Sequence, residues 1–223
     1  MITVHNLENS QSIRILWLLE ELGIEYNIKQ HYRNKVTSFA SDEYRKIHPV
    51  GWAPTITDGG VAMAETNAIV DYILDKHTNN SLRPKTGEPG REAYLYWFHA
   101  TQGSLMPFLV WSLVLNRMDN GVPFFIRPIV KALTKKVRAQ FVTPRTEKLL
   151  THLNNCLQEN QWLAGETFTA ADIVMGYCLE GLDAPAAIPH SYAHIKRYVK
   201  DLRSRDAYKV AMKKNGAFNP ILN

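Results

Sequence analysis

Cysteine is scarce in this chain of 223 residues: Cys156 and Cys178 are the only two. Neither stands in a C-x-x-C pair or at metal-ligand spacing, and both fall in helical patterns beside apolar residues (HLNNCLQEN and VMGYCLEGL). That excludes a disulfide framework, and both are read as reduced core residues. Long hydrophobic runs are missing too. The best stretch, LMPFLVWSLVL, is interrupted by Pro107 and Ser112, falls short of the ~18 apolar residues of a membrane span, and reads as a buried helix. No membrane role is expected. The opening MITVHNL lacks the basic, apolar and small-residue order of a signal peptide, so a cytoplasmic location is the expectation. There is no internal repeat or low-complexity tract. With no G-x-S-x-G and no serine, histidine and acid at useful spacing, a hydrolase is discounted. His190 and His194 are four apart in a helical pattern, but no third ligand is near. They are read as surface histidines, and no metal is expected.

What is present suits a globular protein of one or two domains: 45% of residues are hydrophobic and 21% charged. The net charge of +5 is uneven, with −3 over residues 1–80 and +8 over residues 81–223. The basic residues of KALTKKVRAQ and YVKDLRSR alternate with apolar ones at helical spacing, as on a solvated helix face, so no nucleic-acid partner is expected. Such a surface would also concentrate an anionic small substrate.

Along the chain, ITVHNL reads as a β-strand, SIRILWLLEEL as a helix buried on most of its circumference and ended by Gly23, and EYNIKQHY as a second strand. A short helix begins near Ser41 and must stop before Pro49. PTITD and VAMAE form a hairpin about Asp58-Gly59-Gly60, followed by a helix from Thr66 through His77 with Ala68, Ile69, Tyr72 and Ile73 as its apolar face. NNSLRPKTGEPG has linker composition. Everything after Gly90 is helical in pattern, which predicts an α/β module over 1–79, a linker over 80–90 and an all-helical module over 91–223.

Several stretches carry two readings. Pro54 stands directly before the PTITD strand, where a proline is ordinary at an edge; alternatively, the backbone of Ala53 pairs with an extended peptide. Thr66 is a good N-cap; alternatively, that helix N-terminus takes a carboxylate while Glu65 holds an ammonium group. In ENSQS, Ser10 or Ser12 caps the first helix, or a group among Asn9, Ser10 and Ser12 stabilises a thiolate beside the helix dipole. The run YLYWFHATQGSLMPFLVW is core or the lining of an apolar pocket. TFTAADI is a capping arrangement of Thr169 and Asp172 before a buried helix.

In combination these pieces resemble the cytosolic glutathione transferase superfamily, and the resemblance covers essentially the whole chain. SQSIRILWLLEELGIEYNI is similar to the first helix and second strand of its thioredoxin-like domain, HPVGWAPTITDGGVAMAETNAIVDYI to its central signature, and GETFTAADI to its helical-domain motif. The resemblance implies a thioredoxin-like domain followed by a helical bundle. It implies a cis Pro54, with Ala53 pairing the cysteinyl backbone of glutathione and Glu65 and Thr66 holding the γ-glutamyl group. Trp52 departs from the polar or basic residue usual near the glycyl carboxylate, for which Lys46, Arg45 or His31 would substitute. Ser10 is the leading thiol-activating residue, with Asn9 and Ser12 as alternatives. The implied activity is transfer of the glutathione thiolate to small hydrophobic electrophiles, or glutathione-dependent peroxide or disulfide reduction, with Trp97, Met106, Phe108 and Trp111 lining the electrophile pocket. Glutathione would be a co-substrate, no cofactor would be permanently bound, and the protein would be a homodimer. The rival reading is a non-catalytic interaction module on the same fold.

Overall fold

Alternation of apolar residues on the first strand sets the layering of the N-terminal part. In a computed structural model that describes residues 1–77, 82–182 and 191–216, β1 (Ile2–Leu7) is followed by α1 (Ser12–Leu22), β2 (Tyr26–His31), α2 (Asp42–Arg45), β3 (Thr55–Asp58), β4 (Val61–Ala64) and α3 (Thr66–Lys76). The sheet order is β2-β1-β3-β4, with β2 parallel to β1 and the β3–β4 hairpin antiparallel to it. Because successive side chains of a strand point to opposite faces, Ile2 and Val4 join the main core with α1 and α3, whereas Leu7 meets Ala40 and Tyr44 under α2. Gly23 ends α1 in the left-handed conformation with φ 62°, a conformation that a glycine adopts without a Cβ penalty. The apolar face of α3 is Ile69, Val70, Ile73 and Leu74; Ala68, placed there from the pattern, is exposed.

The remaining described elements are helices: α4 (Arg91–Ala100), α5 (Met106–Asn120), α6 (Arg127–Val137), α7 (Thr143–Glu159), α8 (Ala170–Leu182), α9 (Ala193–Ser204) and α10 (Asp206–Asn215). The two long helical stretches of the sequence are each widened by a π-helical turn, over Thr101–Leu105 and over Arg138–Val142. Each turn directly precedes a helix with a proline at its start, Pro107 in α5 and Pro144 in α7. A proline has no N–H for the i−4 carbonyl and its ring collides with that carbonyl, so a local change of pitch accommodates it.

Helix α8 runs through the centre, buried on nearly every side. A Cβ on its Gly176 would lie 2.9 Å from Cζ3 of Trp17, so only glycine lets α8 sit this close to α1. Its N-terminus is held by Asp172, whose carboxylate accepts from the Thr169 N–H (2.7 Å), the Thr169 hydroxyl (2.9 Å), the Leu163 N–H (2.9 Å) and the Tyr198 hydroxyl (2.8 Å), as the TFTAADI pattern implies. The core is continuous from β1, α1 and α3 into α4, α7, α8 and α9. Among the described residues no helix is long and apolar enough to cross a membrane.

Candidate functional site

Strand register brings three separated segments to one end of the sheet. His5 pairs with Thr55 across β1 and β3, and Thr55 pairs with Ala64 across β3 and β4. The chain leaving β1 (Glu8 to Gln11), the chain entering β3 (Trp52 to Pro54) and the chain leaving β4 (Glu65, Thr66) therefore share that end. The Ala53–Pro54 bond is cis. Since β3 pairs on both sides, Pro54 stands at the entrance of an inner strand, not on the edge strand where a proline is commonest.

Glu65 has φ 76° and ψ 123°, a backbone region costly to any residue with a Cβ and concentrated at functional sites. Glu65, not Thr66, is the N-cap of α3, and its side chain makes no capping bond. Thr66 opens the helix proper, where the first N–H groups have no intrahelical acceptor. The Glu65 carboxylate is exposed and accepts from the indole N–H of Trp52 at 3.3 Å, with Trp52 itself 57% exposed.

At the end of β1, the Ser10 hydroxyl donates to the Leu7 carbonyl at 2.7 Å and lies 3.0 Å from the Ser12 hydroxyl. The Ser12 hydroxyl faces the His5 carbonyl at 3.4 Å, and both serines are buried. Ser10 accepts from the Ser12 N–H at 3.2 Å, although the N-cap position itself belongs to Gln11. Asn9 is half-buried with φ 49°, a left-handed position that asparagine tolerates better than most residues. Its carbonyl accepts from the Arg33 guanidinium at 3.2 Å.

Three residues here were not singled out in the sequence. Gln11 Oε1 accepts from Arg14 Nη1 (2.6 Å), Thr66 Oγ1 (3.1 Å) and Gln102 Nε2 (3.2 Å). Arg14 also donates to Gln102 Oε1 at 2.9 Å and to Cys178 Sγ at 3.1 Å, and stacks over the Tyr177 ring at 4.5 Å. Burial pushes its pKa down, while the Cys178 thiol and Tyr177 favour the charge. The signal available in SIRILWLLEEL was an arginine on a helix otherwise buried around its circumference, since a buried cation requires partners.

Of the four residues expected to line an apolar pocket, Trp97 does not: it is 2% exposed and stacks on His152 at 5.0 Å, inside the core. Helical periodicity points it inward between α4 and α7. Phe108 and Trp111 each meet Phe141 edge to face at 6.3 Å, with Met106, the first residue of α5, half-buried. Phe141 completes this aromatic group from the second π-helical turn.

The three cations expected near a carboxylate differ in state. His31 is buried, bonded to His5 at 3.3 Å and edge-on to the Tyr44 ring at 5.0 Å, so its ring is engaged inside the fold. Arg45 is paired with Asp42. Lys46 is exposed with no ion-pair partner among the described residues. Of the histidine pair, His190 lies outside the described residues, and His194 starts α9 with its N–H on Asn154. Both cysteines are free, Cys178 buried and Cys156 half-buried, and burial raises the pKa of each thiol.

Comparison with known proteins identifies the family to which this fold belongs. Residues 1–75 match the model of the glutathione S-transferase N-terminal domain, and residues 125–212 match a model of the glutathione S-transferase C-terminal domain. The chain is 34% identical to glutathione S-transferase 3 of Schizosaccharomyces pombe over 96% of its own length and 88% of that protein's. It is 26% identical to glutathione S-transferase 1 of Saccharomyces cerevisiae over 96% of this chain and 95% of that one. A crystal structure of a glutathione S-transferase from Actinobacillus pleuropneumoniae superimposes with a TM-score of 0.81 at 31% identity, over 99% of this chain and 95% of that one. The chain belongs to the glutathione S-transferase family.

Proposed function

We propose that this protein is a glutathione transferase that joins the thiolate of glutathione to small hydrophobic electrophiles. In that reaction the sulfur forms a bond to an electrophilic carbon, the leaving group departs with its electron pair, and the thiol proton passes to water. The single observation that carries the reading is the convergence at one sheet end of the cis Ala53–Pro54 segment, a carboxylate at Glu65, a helix N-terminus at Thr66 and a polar turn at the start of α1. A γ-glutamyl group has an ammonium suited to Glu65 and a carboxylate suited to the first N–H groups of α3. The cysteinyl backbone would pair with Ala53 by strand addition. Lys46, exposed beyond α2, would face the glycyl carboxylate, while Trp52 steadies Glu65.

For the sulfur contact the geometry favours Asn9 over Ser10 and Ser12. Both serines are buried with their hydroxyls against backbone carbonyls, whereas Asn9 is only half-buried. The electrophile would pack on Met106, Phe108 and Trp111, with Phe141 added to the set. The exposed apolar residues Val110, Val114, Ile129 and Leu133 of α5 and α6 support a homodimer. Two free cysteines and a dependence on reduced glutathione suit the cytoplasm.

The test is direct: retention on immobilised glutathione, and formation of the chromophoric adduct from glutathione and a chlorodinitrobenzene. A folded protein that does neither is not a glutathione transferase.

A further inference from the structure

We propose that Gln11 binds glutathione through its side-chain amide, donating to the α-carboxylate of the γ-glutamyl group, and that the buried Arg14 is the positioning residue that aims it. The assignment rests on the glutathione reading above.

A carboxamide has one accepting end and one donating end. Three donors, from Arg14, Thr66 and Gln102, converge on the oxygen of Gln11 within 3.2 Å. Reversing the amide would set its N–H2 against the Arg14 guanidinium and the Gln102 N–H2, neither of which accepts, so this orientation is fixed. The N–H2 end is consequently turned away, and no acceptor among the described residues takes it. The oxygen on the same amide is 3.1 Å from Thr66 Oγ1, so the side chain stands at the end of α3 where the first N–H groups have no intrahelical acceptor, and an anion seated there would meet backbone and side-chain donors together.

Arg14 explains how the amide is held. The residue is 1% exposed, has no carboxylate partner among the described residues, and its Nε is buried without a hydrogen bond. Keeping an uncompensated cation inside a protein is expensive, and an apolar side chain of similar size would usually serve packing better. Its donors instead go to the two glutamine oxygens and to the Cys178 sulfur. One of those glutamines is the N-cap of α1 and the other is on the π-helical turn Thr101–Leu105, so the guanidinium ties the α/β part to the helical part at Gln11. Its charge also favours an anion at the neighbouring helix end.

The experiment compares two peptides by calorimetry: glutathione, and the analogue 4-aminobutanoyl-cysteinyl-glycine, which lacks only the α-carboxylate. Gln11→Glu keeps an oxygen for Arg14, so the fold is preserved, but replaces the donor with a second acceptor. Loss of a hydrogen bond to a charged group corresponds to roughly 10- to 100-fold in affinity. Gln11→Glu is therefore expected to weaken glutathione at least ~10-fold while leaving the decarboxylated analogue within about threefold of wild type. Arg14→Met, where it folds, is expected to weaken glutathione selectively in the same way, with Arg14→Lys restoring part of the loss. Equal weakening of both peptides, or glutathione binding by Gln11→Glu within about twofold of wild type, overturns the assignment and leaves the glutathione reading standing. A wild-type protein that binds neither peptide overturns both.

Discussion

The indole N–H of Trp52 donates to the carboxylate of Glu65 across 3.3 Å, joining the segment before the cis-proline to the N-cap of α3. Glu65 holds a left-handed φ of 76° that a glycine would adopt without a Cβ penalty. Replacing it separates function from stability. Glu65→Gly is expected to raise stability by about 1 kcal/mol, a shift of roughly 2–4 °C in melting temperature for a chain this size, and to abolish retention on immobilised glutathione. Glu65→Ala, which keeps the strained backbone, should lose retention without the gain. Scanning calorimetry beside the affinity column reads both; a Glu65→Gly protein that is still retained would remove Glu65 from the site.

The turn at the start of α1 gives a second test. Ultraviolet absorbance of the bound thiolate reports the apparent pKa of glutathione, free thiols lying near ~8.5. In Asn9→Ala that apparent pKa should rise by about one unit, equivalent to the loss of one hydrogen bond to a charged sulfur. Ser10→Ala should move it little and instead destabilise the protein by about 1 kcal/mol, because the bond to the Leu7 carbonyl is lost. The opposite pattern would return the sulfur contact to Ser10.

How far these residues were legible in the sequence follows from the range of the forces involved. The strands, α1 with its Gly23 terminus and the Asp172 cap depend on local periodicity and local hydrogen bonds, and their residues announce them. Glu65 and Thr66 were singled out by their place in the run HPVGWAPTITDGGVAMAETNAIVDYI, although which of them caps α3 depends on a backbone angle that residue type does not specify. Trp97 shows the limit on the helical side. In a run rich in aromatic residues, period 3.6 identifies faces, but which face meets α7 and which stays open depends on tertiary packing. Gln11 and Gln102 are 91 residues apart, and nothing in either neighbourhood signals the other. Only Arg14, a charge embedded in an apolar helix, pointed locally to a distant partner.

His5 and His31 form a buried pair, Nδ1 to Nε2 at 3.3 Å, with Thr57 on the far nitrogen of His5 at 3.1 Å. Burial lowers both pKa values; for His5 the neighbouring His31 and then Lys29 add to it, and for His31 Lys29 does. The folded state therefore keeps both rings neutral at a pH where the unfolded chain, titrating near ~6.5, takes up protons. Stability is complete above that pH and falls as the solution is acidified below it. Urea midpoints measured from pH 7.5 to pH 5 should decline, and His31→Gln should flatten the decline. An equal slope in the variant would place the acid sensitivity elsewhere.

Asp172 offers the largest single effect on stability. Its carboxylate is fully buried and accepts four hydrogen bonds, from two backbone N–H groups and two hydroxyls. Burial pushes its pKa up, and those four donors pull against that. Asp172→Ala leaves the Leu163 and Thr169 N–H groups and the Tyr198 hydroxyl buried without acceptors, each costing about 1–3 kcal/mol, so a loss of at least ~3 kcal/mol is expected. Asp172→Asn retains one acceptor oxygen and should lose less. Because α8 packs on α1 directly through Gly176 and Trp17, loosening its N-terminus should also disturb the α/β part, and equilibrium unfolding should show both parts melting in one transition at lower denaturant. If only the helical part destabilised while α1 kept its protection in hydrogen exchange, the shared core would not couple the two.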